Sequence, residues 1–347
     1  MQLYLGVLIF SFAVTSMGMV PFIGLLYRLK FTRQKETNEL RLNKTPEFEA
    51  IRAKHALKAG TPTGLGIWLL IAITASFLLL IPILELFRPT ARLISGYPFW
   101  KEVGVLGFTF ISFAALGLYD DVLKIFGFAK TGFFGLRRKH KFIIQWILAL
   151  CSAFFMWWGL GINIIHLPIF GIVHLGFGYV FMAAFLIVMF ANAFDITSGL
   201  DGLGEGLLVI CLLAFWVIAA SVLDRVLILF IAVWIGAVVA GIYFTIYPAR
   251  AFLGNASGMA FGSTLAMVGL LSGKFVPLLI VGGVFLIDGG SSMLQILSKS
   301  ILKRRIFPIA PIHHYFEIVG WEEPKIVARA WLSGIVLAIF GVWLALL

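Results

Sequence analysis

The chain has 347 residues, 61% of them hydrophobic and only 12% charged, with a mean hydropathy of +1.04. A soluble globular domain is about half apolar and a quarter charged, so this composition excludes one and predicts an integral membrane protein. In a soluble protein, a net charge of +11 would indicate a nucleic-acid partner. Here the basic residues lie in the loops between membrane segments, so we expect no nucleic-acid partner.

Ten apolar segments predict transmembrane helices, because each span needs about 20 apolar residues to cross the lipid bilayer. Together they predict a single all-α polytopic membrane domain over residues 1–347. The first segment is too long for a cleavable signal peptide and lacks a cleavage site, so we expect it to be retained. In chain order the segments are 3–27, 65–84, 103–119, 142–160, 176–194, 206–223, 226–246, 258–272, 275–297 and 329–347.

Lysine and arginine residues concentrate in alternate loops between these segments. If the N-terminus lies outside, the inside loops hold 22 of the 27 lysine and arginine residues. By the positive-inside rule, this predicts an inner-membrane protein with both termini outside and its basic loops in the cytoplasm. Membrane topology alone explains this uneven distribution of lysine and arginine, without a bound ligand. The inside loops are 28–64, 120–141, 195–205, 247–257 and 298–329, and the stretch 28–58 is predicted to be a helical extension.

Two adjacent carboxylates end the third segment. Asp120 and Asp121 lie where a charge is costly unless it is paired or binds a metal. Such a pair can hold a hard cation such as Mg²⁺, and Lys124 shares the helix face and can contact a phosphate. An ordinary ion pair at a solvated helix end would account for the same residues.

A second polar group follows the fifth segment. Asn192, Asp195 and Ser198 recur every three residues, and Asp201 lies in a glycine-rich turn just beyond them. Glycines permit close approach of the backbone to a ligand, although they also serve helix packing in membranes. The carboxylates among these glycines favour a binding site.

The first inside loop ends in Lys58 and Thr63, which lie among glycines just before the second segment. A lysine, hydroxyl groups and flexible glycines suit a phosphate or nucleotide contact. The same pattern is typical of an ordinary loop before a helix, so it is a weak indication by itself.

The last inside loop contains adjacent histidines, His313 and His314, near three basic residues and two prolines. Such histidines suit phosphate binding, proton transfer or metal ligation. Zinc is not expected, because no cysteine or third histidine lies near them in the sequence.

Four segments in this order resemble one family, the phospho-N-acetylmuramoyl-pentapeptide transferases. This family lies within the wider polyprenyl-phosphate N-acetylhexosamine-1-phosphate transferases. The Pro-Ile-His-His run is the most specific match, because it is typical of the muramoyl-pentapeptide branch. The resemblance covers essentially the whole chain, and the predicted ten-span topology with both termini outside agrees with it independently. The matching segments are Gly60-Thr-Pro-Thr63, Asp120-Asp121-Val-Leu-Lys124, Gly199-Leu-Asp201-Gly-Leu203 and Pro311-Ile-His313-His314, with Gln295, Arg305-Ile-Phe and Gly320-Trp321 in addition.

The resemblance implies that undecaprenyl phosphate attacks the β-phosphorus of UDP-N-acetylmuramoyl-pentapeptide and releases UMP. It also implies Mg²⁺ as cofactor, held by Asp121 and Asn255. Whether an aspartate acts as a base or forms a covalent intermediate stays open. The implied catalytic residues are Asp120, Asp121, Lys124 and His313, and the implied substrate-binding residues are Lys58, Thr63, Asn192, Asp195, Ser198, Asp201, Gln295 and His314.

Five positions depart from the family pattern. We predict an active enzyme with weakened Mg²⁺ affinity, because Asp195 keeps a negative charge on its helix face whereas Asn255 brings none. Two alternatives stay open, namely a sister transferase for another UDP-N-acetylhexosamine and a non-catalytic descendant that binds lipid phosphate. A homodimer is a further open alternative. Asp195 and Thr245 stand where the pattern has asparagines, and Ser198 and Asn255 stand where it has aspartates. Tyr315 stands where the pattern has a third histidine.

Overall fold

A computed structural model describes residues 2–33, 51, 55–87, 96–126, 136–168 and 170–347. Most of the predicted helical extension at 28–58 therefore lies outside the described residues. The same holds for the middle of the predicted inside loop 120–141.

The fold is almost entirely helical, as the sequence predicted, and each of the ten predicted segments lies on helix. A π-helical turn, Phe155–Gly159, extends the fourth helix, and a short 3₁₀ turn, Ala56–Lys58, precedes the second. The helices are α1 (Gln2–Arg28), α2 (Leu65–Phe87), α3 (Phe99–Phe126), α4 (Arg138–Phe154), α5 (Gly178–Thr197), α6 (Leu203–Ser221), α7 (Arg225–Thr245), α8 (Asn255–Leu271), α9 (Phe275–Val281), α10 (Gly283–Ile301), α11 (Ile312–Ile318) and α12 (Glu323–Leu346).

Ten full-length spans are not confirmed. Eight helices of the described chain, α1 to α7 and α12, are long and apolar enough to cross a bilayer. The segment predicted at 258–272 is α8, which has only 17 residues. The segment predicted at 275–297 is not straight, because α9 and α10 meet at an angle of 76° around Gly282. A methyl group at Gly282 would overlap the ring of Phe190, so the bend brings this backbone against α5.

A small hairpin between α4 and α5 was not predicted. Its strands are β1 (Ile164–Leu167) and β2 (Gly171–His174), which pair antiparallel with Ile164 opposite His174. The strands are only four residues long and lie beside a long apolar helix. Hydrophobic periodicity therefore gives them no separate signal.

Helices α7 and α8 form the centre of the bundle. Helix α8 packs between α3 and α5, and α7 packs against α1 and α2. Every residue of α8 after Asn255 is buried. A methyl group at Gly117 of α3 would overlap the backbone of Asn255 and Ala256, so glycine permits this helix contact. The contact holds the carboxylates at the end of α3 beside the first turn of α8.

Candidate functional site

Asp120, near the end of α3, is buried and surrounded by donors. Its Oδ1 accepts the backbone N–H of Leu136 at 2.9 Å. Its Oδ2 lies 2.9 Å from Nζ of Lys124, 3.4 Å from Nζ of Lys141 and 2.6 Å from the amide nitrogen of Asn255. Two cations and two neutral donors therefore stabilise its ionised form.

Asp121 is also buried, but its surroundings differ. Its Oδ2 accepts the backbone N–H of Ala256 at 3.0 Å, in the first turn of α8. Gly254 makes this approach possible: its φ is +81°, and a Cβ there would lie 2.8 Å from Asp121 Oδ2. None of the ion pairs among the described residues involves Asp121. Asp121 thus has hydrogen-bond support without a cation at contact distance.

Lys141, on the first turn of α4, links Asp120 to Asp195. Its Nζ lies 3.0 Å from Asp195 Oδ2 and 3.4 Å from Asp120 Oδ2. We did not predict this residue, because it ends a basic run that the positive-inside rule already explains. Gln145 lies four residues later on the same face and is buried, and such polar pairs in an apolar helix indicate an inward-facing site.

We name Asp120, Asp121, Asp195, Lys124, Lys141 and Asn255 the carboxylate cluster. Within the part of the chain that the structure describes, three carboxylates face two lysines there, so the cluster has one more negative than positive charge. The donors are carboxylate and amide oxygens, the ligand type that Mg²⁺ prefers. Asn255 donates through its nitrogen to Asp120, and its amide oxygen is the group that can face a cation. The residues present therefore fit a hard divalent cation.

Asn192 has partners on α4 and α5, and Ser198 has a partner on α5. The amide nitrogen of Asn192 lies 2.9 Å from Gln145 Oε1 and 2.8 Å from the carbonyl oxygen of Val188. The hydroxyl of Ser198 donates to the carbonyl of Phe194 at 2.9 Å. The structure thus directs Asp195 toward Lys141, whereas Ser198 closes the end of α5.

Lys58 lies in a second polar cluster with Asp201 and Glu323. Its Nζ is 2.6 Å from Asp201 Oδ1 and 2.6 Å from Glu323 Oε1. Glu323 also accepts the backbone N–H of Asp201 at 2.6 Å, and the other Asp201 oxygen accepts the N–H of Ala249. We did not predict Glu323, since it comes from the start of α12, 265 residues after Lys58. Asp201 thus joins the α5–α6 turn to three other chain segments.

Thr63 is fixed by its backbone beside this cluster. Its N–H donates to the carbonyl of Phe31 at 2.9 Å, and it forms an isolated bridge with Phe252. The loop before α2 therefore packs against the loop before α8, on the side of the bundle where α3 ends.

His313 is buried on α11 and held by Asp288 of α10. Its Nδ1 lies 2.8 Å from Asp288 Oδ2, and its N–H donates to Asp288 Oδ1 at 3.1 Å. Its Nε2 is buried without a hydrogen-bond partner among the described residues. A Cβ at Gly199 would lie 2.8 Å from this nitrogen, so the ring faces the glycine-rich turn that carries Asp201.

His314 and Glu317 form a separate pair on α11, 2.6 Å apart between Nδ1 and Oε2. Burial is the main cause that lowers the pKa of His314 below its ordinary value, so its ring is neutral at neutral pH. Burial opposes ionisation of Glu317, but hydrogen bonds from His314 and His55 lower the pKa of Glu317 well below its usual range. The carboxylate therefore stays ionised.

Gln295 of α10 holds the last loop. Its Oε1 accepts the N–H groups of Ile306 and Phe307 at 3.1 and 3.0 Å, and its Nε2 donates to the carbonyl of Phe307 at 2.8 Å. These bonds fix the chain just before the histidines. Of the other two departures from the family pattern, Thr245 is buried and Tyr315 is exposed.

The end of α5 connects the two polar clusters. Asp195 belongs to the carboxylate cluster, and Gly199 and Asp201 follow within two turns, beside His313 and Lys58. Most predicted site residues therefore lie along one continuous region at a single end of the bundle. Lys141, Gln145 and Glu323 join them there.

Replacing Lys141 with glutamine is expected to lower stability by about 2 kcal/mol, because Asp195 would lose a charge-assisted hydrogen bond. Thermal unfolding of the purified protein in detergent measures this. Lys139→Gln is the matched control, since Lys139 is an exposed neighbour on the same turn. An equal unfolding temperature for both variants would contradict a linking role for Lys141.

Comparisons with known proteins give a matching family model and relatives that cover most of this chain. The model of the Glycosyl transferase family 4 matches residues 103–273. The chain is 31% identical to the phospho-N-acetylmuramoyl-pentapeptide-transferase of Geobacillus sp. (strain WCH70), over 99% of this chain and 98% of the relative. The protein of that name from Bacillus pumilus (strain SAFR-032) is 29% identical over the same shares. That from Staphylococcus aureus (strain bovine RF122 / ET3-1) is 30% identical over 84% of this chain and 87% of the relative.

Similarity over nearly the full length of both chains confirms the resemblance noted in the sequence. The helical architecture agrees with it, and so does the position of the matched motifs at one end of the bundle. The chain is therefore a multi-pass membrane protein that belongs to the phospho-N-acetylmuramoyl-pentapeptide transferase family of phosphoglycosyl transferases.

Proposed function

We propose that this protein transfers phospho-N-acetylmuramoyl-pentapeptide from its UDP conjugate to undecaprenyl phosphate. The reaction releases UMP and forms the first lipid-linked peptidoglycan precursor. The observation that carries the proposal is the carboxylate cluster, which α3, α4, α5 and α8 assemble around an aspartate that has no cation partner among the described residues. An ion-pair network with only a structural role would be expected to pair each buried carboxylate with a cation.

The proposed location is the cytoplasmic face of the bacterial inner membrane. Both substrates carry phosphates, and the loops next to the site hold most of the lysine and arginine residues of the chain. The same basic loops orient the protein and attract anionic substrates to this face.

The lysines of the site would bind phosphate by exchanging partners. Lys124 pairs with Asp120, Lys141 with Asp120 and Asp195, and Lys58 with Asp201 and Glu323. A phosphate oxygen can replace a carboxylate oxygen at such a lysine with little change in local charge. The carboxylates would therefore keep the lysines in position until an anionic substrate arrives.

We place Mg²⁺ at Asp121 and Asn255 in this proposal. When bound, the ion would act as a Lewis acid that neutralises the charge of the transferred phosphoryl group. Asp121 is the carboxylate most suited to the chemistry, because it is buried and no lysine of the described ranges contacts it. Asp120 would position Lys124 and Lys141 instead, since both lysines contact it.

His313 would contact the substrate through Nε2. Asp288 accepts a hydrogen bond from Nδ1 and thereby fixes the ring and its tautomer. The remaining nitrogen faces the glycine-rich turn and has no protein partner among the described residues. A buried polar atom without a partner is costly, so a substrate hydrogen bond there would be well supported.

UMP release tests the proposal directly. The purified protein in detergent is supplied with undecaprenyl phosphate, Mg²⁺ and either UDP-N-acetylmuramoyl-pentapeptide or UDP-N-acetylglucosamine. UMP formed only from the muramoyl-pentapeptide conjugate would support the proposal. UMP formed from the other sugar instead would identify a sister transferase, and no UMP from either would leave only the non-catalytic alternative.

A further inference from the structure

One face of α12 changes from aromatic to basic to apolar along the helix. Trp321, just before the helix, is followed at steps of four residues by Lys325, Arg329, Ser333 and Leu337. Residues four apart lie on the same face of an α-helix, so the last four form one stripe. The hydroxyl of Ser333 donates to the carbonyl oxygen of Arg329 at 3.0 Å, so it adds little polarity. The stripe is therefore basic where α12 begins and apolar further along.

Trp321 holds both cations near the start of the helix. The centre of its ring lies 5.1 Å from Nζ of Lys325 and 4.2 Å from Cζ of Arg329, which are cation–π distances. Phe316 stacks on the same indole with a separation of 4.7 Å between ring centres. Tryptophan is enriched at membrane–water interfaces, where lysine and arginine also extend their charges to the lipid headgroups. The contacts therefore place both charges at the depth of lipid phosphates.

Lys325 and Arg329 have no acidic partner in the part of the chain that the structure describes. Both side chains are exposed, and neither forms an ion pair there. The nearest acidic residues in the sequence do not change this. Glu323 pairs with Lys58 instead, and Glu322 is exposed without an ion pair to either cation. Two adjacent cations at a lipid-facing position favour an anionic ligand.

A cavity lies beside this stripe, between α12 and α10. Its volume is about 410 Å³, within the roughly 300–1,000 Å³ of ligand pockets. Arg329 lies in its wall, and so do Leu337 of α12 and Ile287 of α10, which is 60% exposed at the lipid-facing surface. Asp288 and His313 also line the cavity, so an apolar occupant would keep water away from the hydrogen bond between them. The cavity thus offers an apolar chain a place directly beside the two cations.

The position of α12 distinguishes this groove from the place where the proposed reaction occurs. The carboxylate cluster is assembled by α3, α4, α5 and α8, whereas α12 packs against α6, α9, α10 and α11. In the proposed reaction, the phosphate of the acceptor lipid must reach the carboxylate cluster. A phosphate bound by Lys325 and Arg329 would therefore belong to a different lipid.

We propose that this groove binds an anionic phospholipid of the surrounding bilayer. Its phosphate would contact Lys325 and Arg329, and one of its acyl chains would occupy the cavity between α10 and α12. The bound lipid would stabilise the packing of α10, α11 and α12 around His313. There are two competing accounts, namely adsorption of anionic lipid to any basic loop and occupation of the groove by the acceptor lipid.

Lipid binding to the purified full-length protein tests the headgroup contact. Delipidated protein in detergent is titrated with dioleoyl phosphatidylglycerol or dioleoyl phosphatidylcholine, and native mass spectrometry counts the bound lipid. We expect one phosphatidylglycerol per chain at saturation, and much weaker binding of the zwitterionic lipid. Lys325→Gln combined with Arg329→Gln should weaken phosphatidylglycerol binding about 25-fold, since each cation at an anionic membrane surface contributes about fivefold. Lys303→Gln combined with Arg304→Gln is the matched control, because both residues are exposed in the loop after α10, and it should bind normally.

Ala330→Leu tests the acyl-chain contact, because Ala330 lines the cavity and the change keeps both cations. It should weaken phosphatidylglycerol binding roughly tenfold, since the larger side chain displaces part of the acyl chain from apolar contact. Ala328→Leu, at an exposed position on the same turn, should bind normally. Thermal unfolding without lipid identifies a variant that fails to fold, and the charge variants change only exposed side chains.

Four results would each overturn the proposal. The first is equal affinity for the two phospholipids, and the second is an equal loss of binding in the two charge variants. The third is unchanged binding by a folded Ala330→Leu protein. The fourth is displacement of phosphatidylglycerol by an equimolar amount of undecaprenyl phosphate, which would assign the groove to the acceptor lipid.

Discussion

Asp121→Asn is expected to lower the rate of UMP release by about 10²–10³-fold, which corresponds to roughly 2.7–4 kcal/mol of transition-state stabilisation. The carboxylate is buried, a single backbone N–H supports its Oδ2, and none of the lysines that the structure describes contacts it. The carboxylate of Asp121 is therefore the one in the cluster that can bind a metal ion or take part in proton transfer. The amide preserves size and can still accept from Ala256, so the fold should survive. Initial rates at saturating substrates measure the effect.

The neighbouring aspartate provides the internal comparison. Asp120→Asn should cost less activity, because Asp120 holds Lys124 and Lys141 in place rather than serving the reaction itself. Asp224→Asn is the matched control at the other end of the bundle, where Asp224 caps α7 and asparagine caps equally well. Near-normal rates in both Asp120→Asn and Asp121→Asn would remove the pair from the chemistry.

The helical fold could be predicted because long apolar runs have few alternatives in a bilayer. The two predicted segments that are not confirmed as full-length spans, at α8 and around Gly282, have a common physical explanation. Hydropathy reports the composition of a segment and not whether lipid or protein surrounds it. Helix α8 is enclosed by other helices, so it need not match the bilayer thickness. At the bend, Gly282 lies against the ring of Phe190, which is remote in the sequence, so hydropathy cannot reveal this contact.

The site could be predicted only where polar residues stand out against an apolar background. Asp120, Asp121 and Asp201 meet that condition, and the structure buries all three. Lys141 and Glu323 do not, because basic and acidic residues are ordinary in inside loops and at helix starts. Their partners lie 54 and 265 residues away in the chain, so only the folded structure relates them to the site.

Asn255 shows how one substitution changes the balance of charge in the cluster. Its amide nitrogen donates to Asp120 Oδ2 at 2.6 Å, a bond that an aspartate could not make. An aspartate at 255 would instead place two carboxylates side by side, which is unfavourable unless a cation lies between them. The asparagine thus stabilises the metal-free cluster, and it lowers the charge available to Mg²⁺.

Asn255→Asp is therefore expected to lower the Mg²⁺ concentration for half-maximal UMP release by about 10–100-fold, since a unit charge near a divalent cation contributes several kcal/mol before solvent screening. Asp195→Asn should raise that concentration, because it removes a negative charge that Lys141 only partly offsets. The same Asn255→Asp protein should unfold at a lower temperature in chelator and recover when Mg²⁺ is added. Asn163→Asp, an identical change of charge at an exposed residue just before β1, is the control. Unchanged Mg²⁺ titrations for both Asn255→Asp and Asp195→Asn would place the metal away from this cluster.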